Sequence, residues 1–215
     1  DYNNQVIEHY FNKQELIVKK VTIIGYTGDT GTISGPHLHF EIRDKNNVSI
    51  NPLINFYKIE DTLHPIPQKI AIIPKNENTK IDGSSDIMFY DLVKSNENEY
   101  YISDTISVID EFGIALNIID KINKQPFDYG LHKIQLYIDG KMKYKIEYNE
   151  YNFLNGELVE EERNYFLKRT KNKRYYNLYN STPELSFIDK RSWPSYKLKE
   201  GLHNIVIKAS DVNNN

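Results

Sequence analysis

Two histidines spaced two residues apart, His37 and His39, are the residues of this chain best suited to metal chemistry. Alternate side chains of an extended strand share a face, so the two imidazoles would point the same way. They would lie about 7 Å apart at a rise of roughly 3.3 Å per residue. One imidazole could then hold a metal ion while the other moves protons. The plainer alternative is a pair of partly exposed strand histidines.

A glycine-rich loop leads into these histidines. Gly28, Gly31 and Gly35 allow tight turns and close approach of the backbone. Pro36 fixes the direction of the chain and removes a backbone donor where the strand would begin. A loop this constrained, placed directly before two aligned imidazoles, indicates a purpose beyond connecting strands.

The sequence of the loop and strand is characteristic of one family. Residues 28–43 read Gly-x-Thr-Gly-x-x-x-Gly-Pro-His-Leu-His-Phe-Glu-Ile-Arg, and residues 50–53 read Ile-Asn-Pro-Leu. This resembles the C-terminal signature of the M23 (lysostaphin/LytM-type) zinc endopeptidases, which cut peptide cross-links in bacterial cell walls. The resemblance implies that His39 is a zinc ligand and His37 a catalytic histidine. It also implies Zn²⁺ as the cofactor, peptidoglycan as the substrate, and a periplasmic or extracellular location in the cell envelope.

The rest of the family's active site is not recognisable in this sequence. The family takes two more zinc ligands from an upstream His-x-x-x-Asp and a further catalytic histidine from an intervening strand. No His-x-x-x-Asp precedes His37, and the upstream histidine is His9. The surroundings of His9 fit an inserted strand better than the catalytic position, although a catalytic role stays open. We expect the chain to begin inside the peptidase domain and to show little or no hydrolysis by itself.

Composition narrows the classes of function. The net charge is −3, which argues against a nucleic-acid-binding protein. The absence of cysteine excludes disulfides and thiolate zinc sites. No run of about 18 apolar residues exists, so no transmembrane segment is expected, and no signal peptide is visible. Abundant tyrosine, isoleucine and asparagine favour β-structure with frequent turns.

The pattern along the chain predicts an all-β protein that ends in a β-sandwich. The M23 resemblance implies that the first strands are a partial antiparallel β-sheet of the peptidase domain, and the resemblance of the second domain to a known module implies that the sandwich is immunoglobulin-like. We assign residues 1–57 to the C-terminal part of the peptidase domain, 58–68 to a linker, and 69–215 to the sandwich. Strands are predicted at residues 6–11, 16–18 and 21–26. In the linker, His64 precedes a proline and is expected to be solvated.

Further signals lie in the second domain. Residues 132–138 alternate polar and apolar side chains, and Asp139-Gly140 predicts a hairpin turn into residues 142–148. Residues 156–179 form a charged, partly helix-favouring excursion. Its basic run at residues 168–174, which neighbours tyrosines, could bind an anionic polymer, but a solvated loop or helix is the favoured interpretation. His132 and His203 lack ligand spacing and are expected to be structural.

A second, looser resemblance concerns this domain. The Asn-Pro-Leu at residues 51–53, Asp61-Thr62 with a nearby proline, residues 112–114, and Asp120 resemble the immunoglobulin-like module that follows the peptidase domain in some secreted proteins of Bacteroidetes-type bacteria. An envelope protein could bind this module. Three hypotheses therefore remain: an envelope zinc endopeptidase, a catalytically degenerate M23-like scaffold that binds cell wall or a partner, and an adhesion or assembly protein.

Overall fold

The computed structural model describes residues 9–26, 28, 35, 36 and 38–215. The chain divides into two compact units, residues 1–41 and 42–215. The strands are Ile42–Arg43 (β1), Ser49–Ile50 (β2), Ile66–Pro74 (β3), Lys80–Ile81 (β4), Met88–Asp91 (β5), Val93–Lys94 (β6), Tyr100–Tyr101 (β7), Val108–Ile109 (β8), Phe112–Ile119 (β9), Lys133–Ile138 (β10), Lys141–Glu147 (β11), Glu150–Tyr151 (β12), Tyr176–Asn177 (β13) and Ile205–Ser210 (β14). The helices are Pro52–Asn55 (α1), Leu158–Glu162 (α2) and Tyr165–Lys171 (α3), with a 3-10 turn at Phe153–Asn155.

The larger unit contains five antiparallel sheets, two of which form its core, and this confirms the all-β prediction. One sheet has the strand order β13-β9-β3-β5 and the other β11-β10-β14. Their inner faces contribute to one hydrophobic cluster, to which β9 brings Leu116, β10 brings Leu136 and β11 brings Tyr144. The two sheets therefore pack face to face as a sandwich.

Strand β10 shows why the sandwich sequence could be interpreted directly. Buried and partly exposed residues alternate along it, and Ile134 and Leu136 are fully buried. The predicted hairpin is confirmed, because Ile138 pairs with Lys141 across Asp139 and Gly140. Both turn residues have positive φ, 50° and 73°, as a two-residue type I′ turn requires.

The outer face of the larger sheet is covered as well. Ala71 of β3 and Ala115 of β9 pack with Leu167 of α3 and Tyr175. Small residues on the sheet let the helix approach closely, so β9 is buried on both faces. The excursion predicted at residues 156–179 thus contains α2 and α3, and α3 shields the sheet.

Residues 42–57 belong to the larger unit. Strand β2 pairs with both β1 and β12, and the backbone N–H of Asn51 donates to the carbonyl of Asn149 at 2.8 Å. The side chain of Asn51 also caps α1 by accepting from the N–H of Leu53. The division at residue 42 does not test the predicted domain limits at residues 57 and 68, which stay predictions.

The described residues of the smaller unit contain no strand. Residues 16–18 and 21–26, predicted as strands, form turns and irregular backbone, so this prediction is wrong for the chain as folded here. Of the strand predicted at residues 6–11, residues 6–8 lie outside the described residues and residues 9–11 form irregular backbone. The apolar side chains of Val21 and Ile24 are 95% and 79% exposed. A strand needs a paired neighbour, and an apolar pattern alone does not provide one. No helix in the described part of the chain is long and apolar enough to cross a membrane.

Candidate functional site

His39 lies in an exposed segment just before β1. Its side chain is 73% exposed, and its Nε2 atom forms a short hydrogen bond with Oε1 of Glu41, whose side chain is 18% exposed. Engagement of Nε2 leaves Nδ1 as the ring nitrogen that could bind a metal. A carboxylate bonded to one nitrogen of an imidazole is the arrangement that orients metal-binding histidines.

The structure does not test the pairing of His39 with His37, because His37 lies outside the described residues. His9 is described, and its Nε2 lies 3.1 Å from Oε1 of Glu15. Its ring also meets the edge of Phe11, with centroids 4.3 Å apart. A local carboxylate and a local ring thus account for the surroundings of His9.

The remaining described histidines have local surroundings too. His64 is exposed, as expected, in the predicted linker at residues 58–68, which we call the connector. His132 Nε2 lies 2.9 Å from the side-chain oxygen of Asn149. His203 Nδ1 lies 2.7 Å from a carboxylate oxygen of Asp139. None of these three belongs to a group of three or more potential metal ligands within the described chain.

A different cluster of potential ligands lies at one end of the sandwich. Asp61, Asp120 and Asp211 each place a carboxylate oxygen within 4.8 Å of the other two. Asp61 belongs to the connector that leads to β3, Asp120 directly follows β9, and Asp211 directly follows β14. Asp120 and Asp211 are only 3% and 4% exposed. We call these three residues the aspartate triad.

Amide groups orient Asp211 within the triad. Its Oδ1 atom accepts from the backbone N–H groups of Asn213 at 2.8 Å and Asn215 at 2.9 Å. The side-chain amide of Asn215 donates both to Oδ2 of Asp211 and to the backbone carbonyl of Asp61. Residues 211–215 are therefore bound to the connector by neutral hydrogen bonds.

Asp61 is positioned in the same way. Its Oδ1 atom accepts from the backbone N–H of Leu63 at 3.1 Å and from that of Asn123 at 3.4 Å. Within the described residues, no Lys, Arg or His forms an ion pair with any member of the triad, and the nearby Lys121 pairs with Asp128 instead. The negative charge of the triad is therefore not balanced by protein cations.

Burial and the neighbouring carboxylates act together on Asp120. Removal from water disfavours its charged form, and the charges of Asp211 and Asp61 add repulsion. As a result, the pKa of Asp120 is raised to about 7. The side-chain Oδ1 atom of Asp120 is buried and has no hydrogen-bond partner.

No sequence pattern brings the triad together. Asp61 and Asp120 belong to the looser of the two family resemblances, and Asp211 lies outside both motifs. The available signal was the position of Asp120 and Asp211, each just after an apolar strand. Whether such strand ends meet depends on sheet order, which the sequence pattern does not specify.

Comparison of the chain with protein-family models, with curated proteins and with solved structures gives no match. The assignment to the M23 family therefore rests on the motif around His37 and His39 and remains a prediction.

Proposed function

We propose that this chain carries part of a zinc-dependent endopeptidase of the bacterial cell envelope, which hydrolyses peptidoglycan peptide cross-links. The observation that carries the proposal is the Gly-Pro-His-Leu-His-Phe-Glu-Ile-Arg string at residues 35–43. The exposed imidazole of His39 and its hydrogen bond to Glu41 support it, since a metal ligand must be accessible and oriented.

Each residue would have a distinct role. Zinc in such a site polarises the scissile carbonyl and lowers the pKa of a water toward 7. His39 would hold the zinc through a ring nitrogen, while Glu41 keeps the imidazole in its binding orientation. His37 would accept or donate a proton, or stabilise the negative charge that develops on the substrate. His39 fits one of the three protein ligands that a hydrolytic zinc usually has.

The direct test is the zinc content of the longest natural form of the protein. We expect one zinc per chain in the wild type and its loss in His39→Ala. His64→Ala is the matched control, because His64 is also exposed but lies outside the motif, and it should keep its zinc. The wild type and His64→Ala should digest purified peptidoglycan, and His39→Ala should not. A wild-type protein without zinc would contradict the proposal.

A second variant tests the role of Glu41. Glu41→Gln keeps the size of the side chain but removes the charge that makes the His39 imidazole a stronger ligand. We expect zinc affinity to fall by roughly 10- to 100-fold, as for other partners of metal-binding histidines. Unchanged affinity would show that the hydrogen bond to His39 does not orient a ligand.

A catalytically degenerate scaffold is the second candidate. It is favoured by the finding that, within the described residues, His39 does not belong to a group of three potential ligands. A scaffold would bind insoluble peptidoglycan in a sedimentation assay, with equal affinity before and after zinc chelation, and would release no peptide fragments. The same assay on His39→Ala separates the two functions, because only the enzyme needs that imidazole.

A further inference from the structure

The aspartate triad joins segments that are far apart in the sequence. Asp61 and Asp120 are separated by 59 positions and Asp211 follows 91 positions later, yet their carboxylates converge. Asp120 directly follows a strand of one sheet, and Asp211 directly follows a strand of the other. Whatever neutralises these carboxylates would therefore link both sheets to the connector.

An unsatisfied atom points to a missing ligand. The Oδ1 atom of Asp120 is buried without a hydrogen-bond partner, and the residue as a whole is only 3% exposed. A buried carboxylate is costly unless it is paired or coordinates a metal. Because no cationic side chain pairs with the triad in the described chain, either a proton on Asp120 or a bound cation must compensate it. Of the two, only a cation can bind all three carboxylates at once.

A neutral side-chain oxygen belongs to a residue that contacts Asp61. Asn123, whose backbone N–H donates to Asp61, has a buried side-chain oxygen with no hydrogen-bond partner. Its amide nitrogen donates instead to the hydroxyl of Thr62 at 3.1 Å. A carbonyl oxygen of this kind is a suitable additional ligand for a hard cation.

We propose that Asp61, Asp120 and Asp211 form a calcium site that holds one end of the β-sandwich together. Calcium binds six to eight oxygens at about 2.3–2.6 Å, so oxygens around one ion can be up to about 5 Å apart. The triad offers oxygen ligands only, with no imidazole or thiolate to favour zinc. Magnesium demands a tighter octahedron and keeps more of its water.

The site is independent of the proposed peptidase. Its ligands belong to the larger unit, whereas His39 belongs to the smaller one. Calcium bound only to the folded sandwich stabilises it by mass action. The expected consequence is a sandwich whose free energy of unfolding rises with the calcium concentration.

The test is calcium binding by the chain after treatment with EDTA. We expect isothermal titration to give one calcium per chain, and magnesium to bind at least ten times more weakly. Saturating calcium, at about 100 times the dissociation constant, should raise the melting temperature by roughly 5 °C or more. Asp120→Asn and Asp211→Asn should lose this increase. Asp104→Asn, an exposed aspartate outside the triad, should keep it.

The variants also separate a calcium site from a purely structural role. Without calcium, Asp120→Asn should melt at a higher temperature than the wild type, because it removes one of three repelling charges. With calcium the order should reverse. The proposal would be overturned if the wild-type chain bound no calcium, or if calcium did not change its melting temperature. Full calcium binding by His39→Ala would show that the site stands whether or not the zinc proposal does.

Discussion

The two units of this chain contain similar apolar residues, but these residues are exposed in one unit and buried in the other. In the smaller unit, apolar residues such as Ile23 and Ile24 are exposed, and the described residues form no strand. In the larger unit, apolar residues of the same types fill a shared core between two sheets. Even polar groups differ, since the carboxylate of Glu15 is exposed and that of Glu162 is buried.

The difference teaches that pairing, more than pattern, decides which apolar runs become strands. Strand β3 pairs with β9 over most of its length, and β10 pairs on both sides. Residues 21–26 have an equally β-branched sequence but no such neighbour among the described residues.

The largest expected effect compares a buried and an exposed aliphatic residue. Leu136→Ala, in the centre of the core, should lower the free energy of unfolding by about 3 kcal/mol, because it leaves a cavity between the sheets. Ile24→Ala, in the smaller unit, should change it by less than about 0.5 kcal/mol. Urea denaturation measures both. Comparable losses would break the contrast between the two units.

Two glutamates, one in each unit, have pKa values shifted in opposite directions, so the pH dependence of stability distinguishes the two units. Burial raises the pKa of Glu162 to about 7, whereas hydrogen bonds from Asn12 and His9 lower the pKa of Glu15. Because the folded-state pKa of Glu162 exceeds its unfolded value, its contribution to stability is full below pH 4.5 and declines as the pH rises to 7. Relative to the wild type, Glu162→Gln should therefore be more stable at pH 8 than at pH 4, by up to about 3 kcal/mol. Loss of the contact with Nε of Arg163, at 3.7 Å from Oε2, opposes this gain at pH 8.

The matched variant is Glu160→Gln, which removes an exposed charge from the same helix. It should lack the pH-dependent gain. Denaturant unfolding of both variants at pH 4 and pH 8 provides the measurement. An equal effect of Glu162→Gln at the two pH values would show that its carboxylate is not held in a buried, unsatisfied position.

Two glycines give an effect of intermediate size. A Cβ atom at Gly113 in β9 would lie 2.6 Å from the ring of Tyr179, whereas a Cβ atom at Gly25 would meet nothing within 4 Å. Gly113→Ala should cost about 1–3 kcal/mol through overpacking, and Gly25→Ala should have little effect on the melting temperature. Equal melting temperatures for the two variants would contradict the close packing at Tyr179.

The smallest effect concerns an exposed ion pair of the larger unit. Hydrogen bonds to the carboxylate of Asp139 and to the carbonyl of Lys199 raise the pKa of His203. The stabilisation that the folded chain gains from the His203–Asp139 pair is full below pH 6.5, and it is lost as the pH rises through the raised pKa of His203. An NMR titration should show the pKa of His203 above 6.5 in the wild type and closer to 6.5 in Asp139→Asn. An unchanged pKa would indicate that the pair does not persist in solution.

Local sequence signals predicted the sandwich but not the aspartate triad. Alternation at residues 132–138 and the Asp139-Gly140 turn are local signals, and local structure follows them. The approach of Asp61, Asp120 and Asp211 depends on the order of strands in two sheets, which no local pattern contains. The role of His39 stays a prediction from the motif, because its proposed partner His37 lies outside the described residues.

One measurement tests the central claim, which is that the chain has two separate metal-binding regions. Zinc and calcium should be quantified together in the longest natural form of the protein, for the wild type, His39→Ala and Asp211→Asn. We expect His39→Ala to lose zinc and keep calcium, and Asp211→Asn to lose calcium and keep zinc. Absence of both metals from the wild type, or loss of both in either variant, would contradict the account.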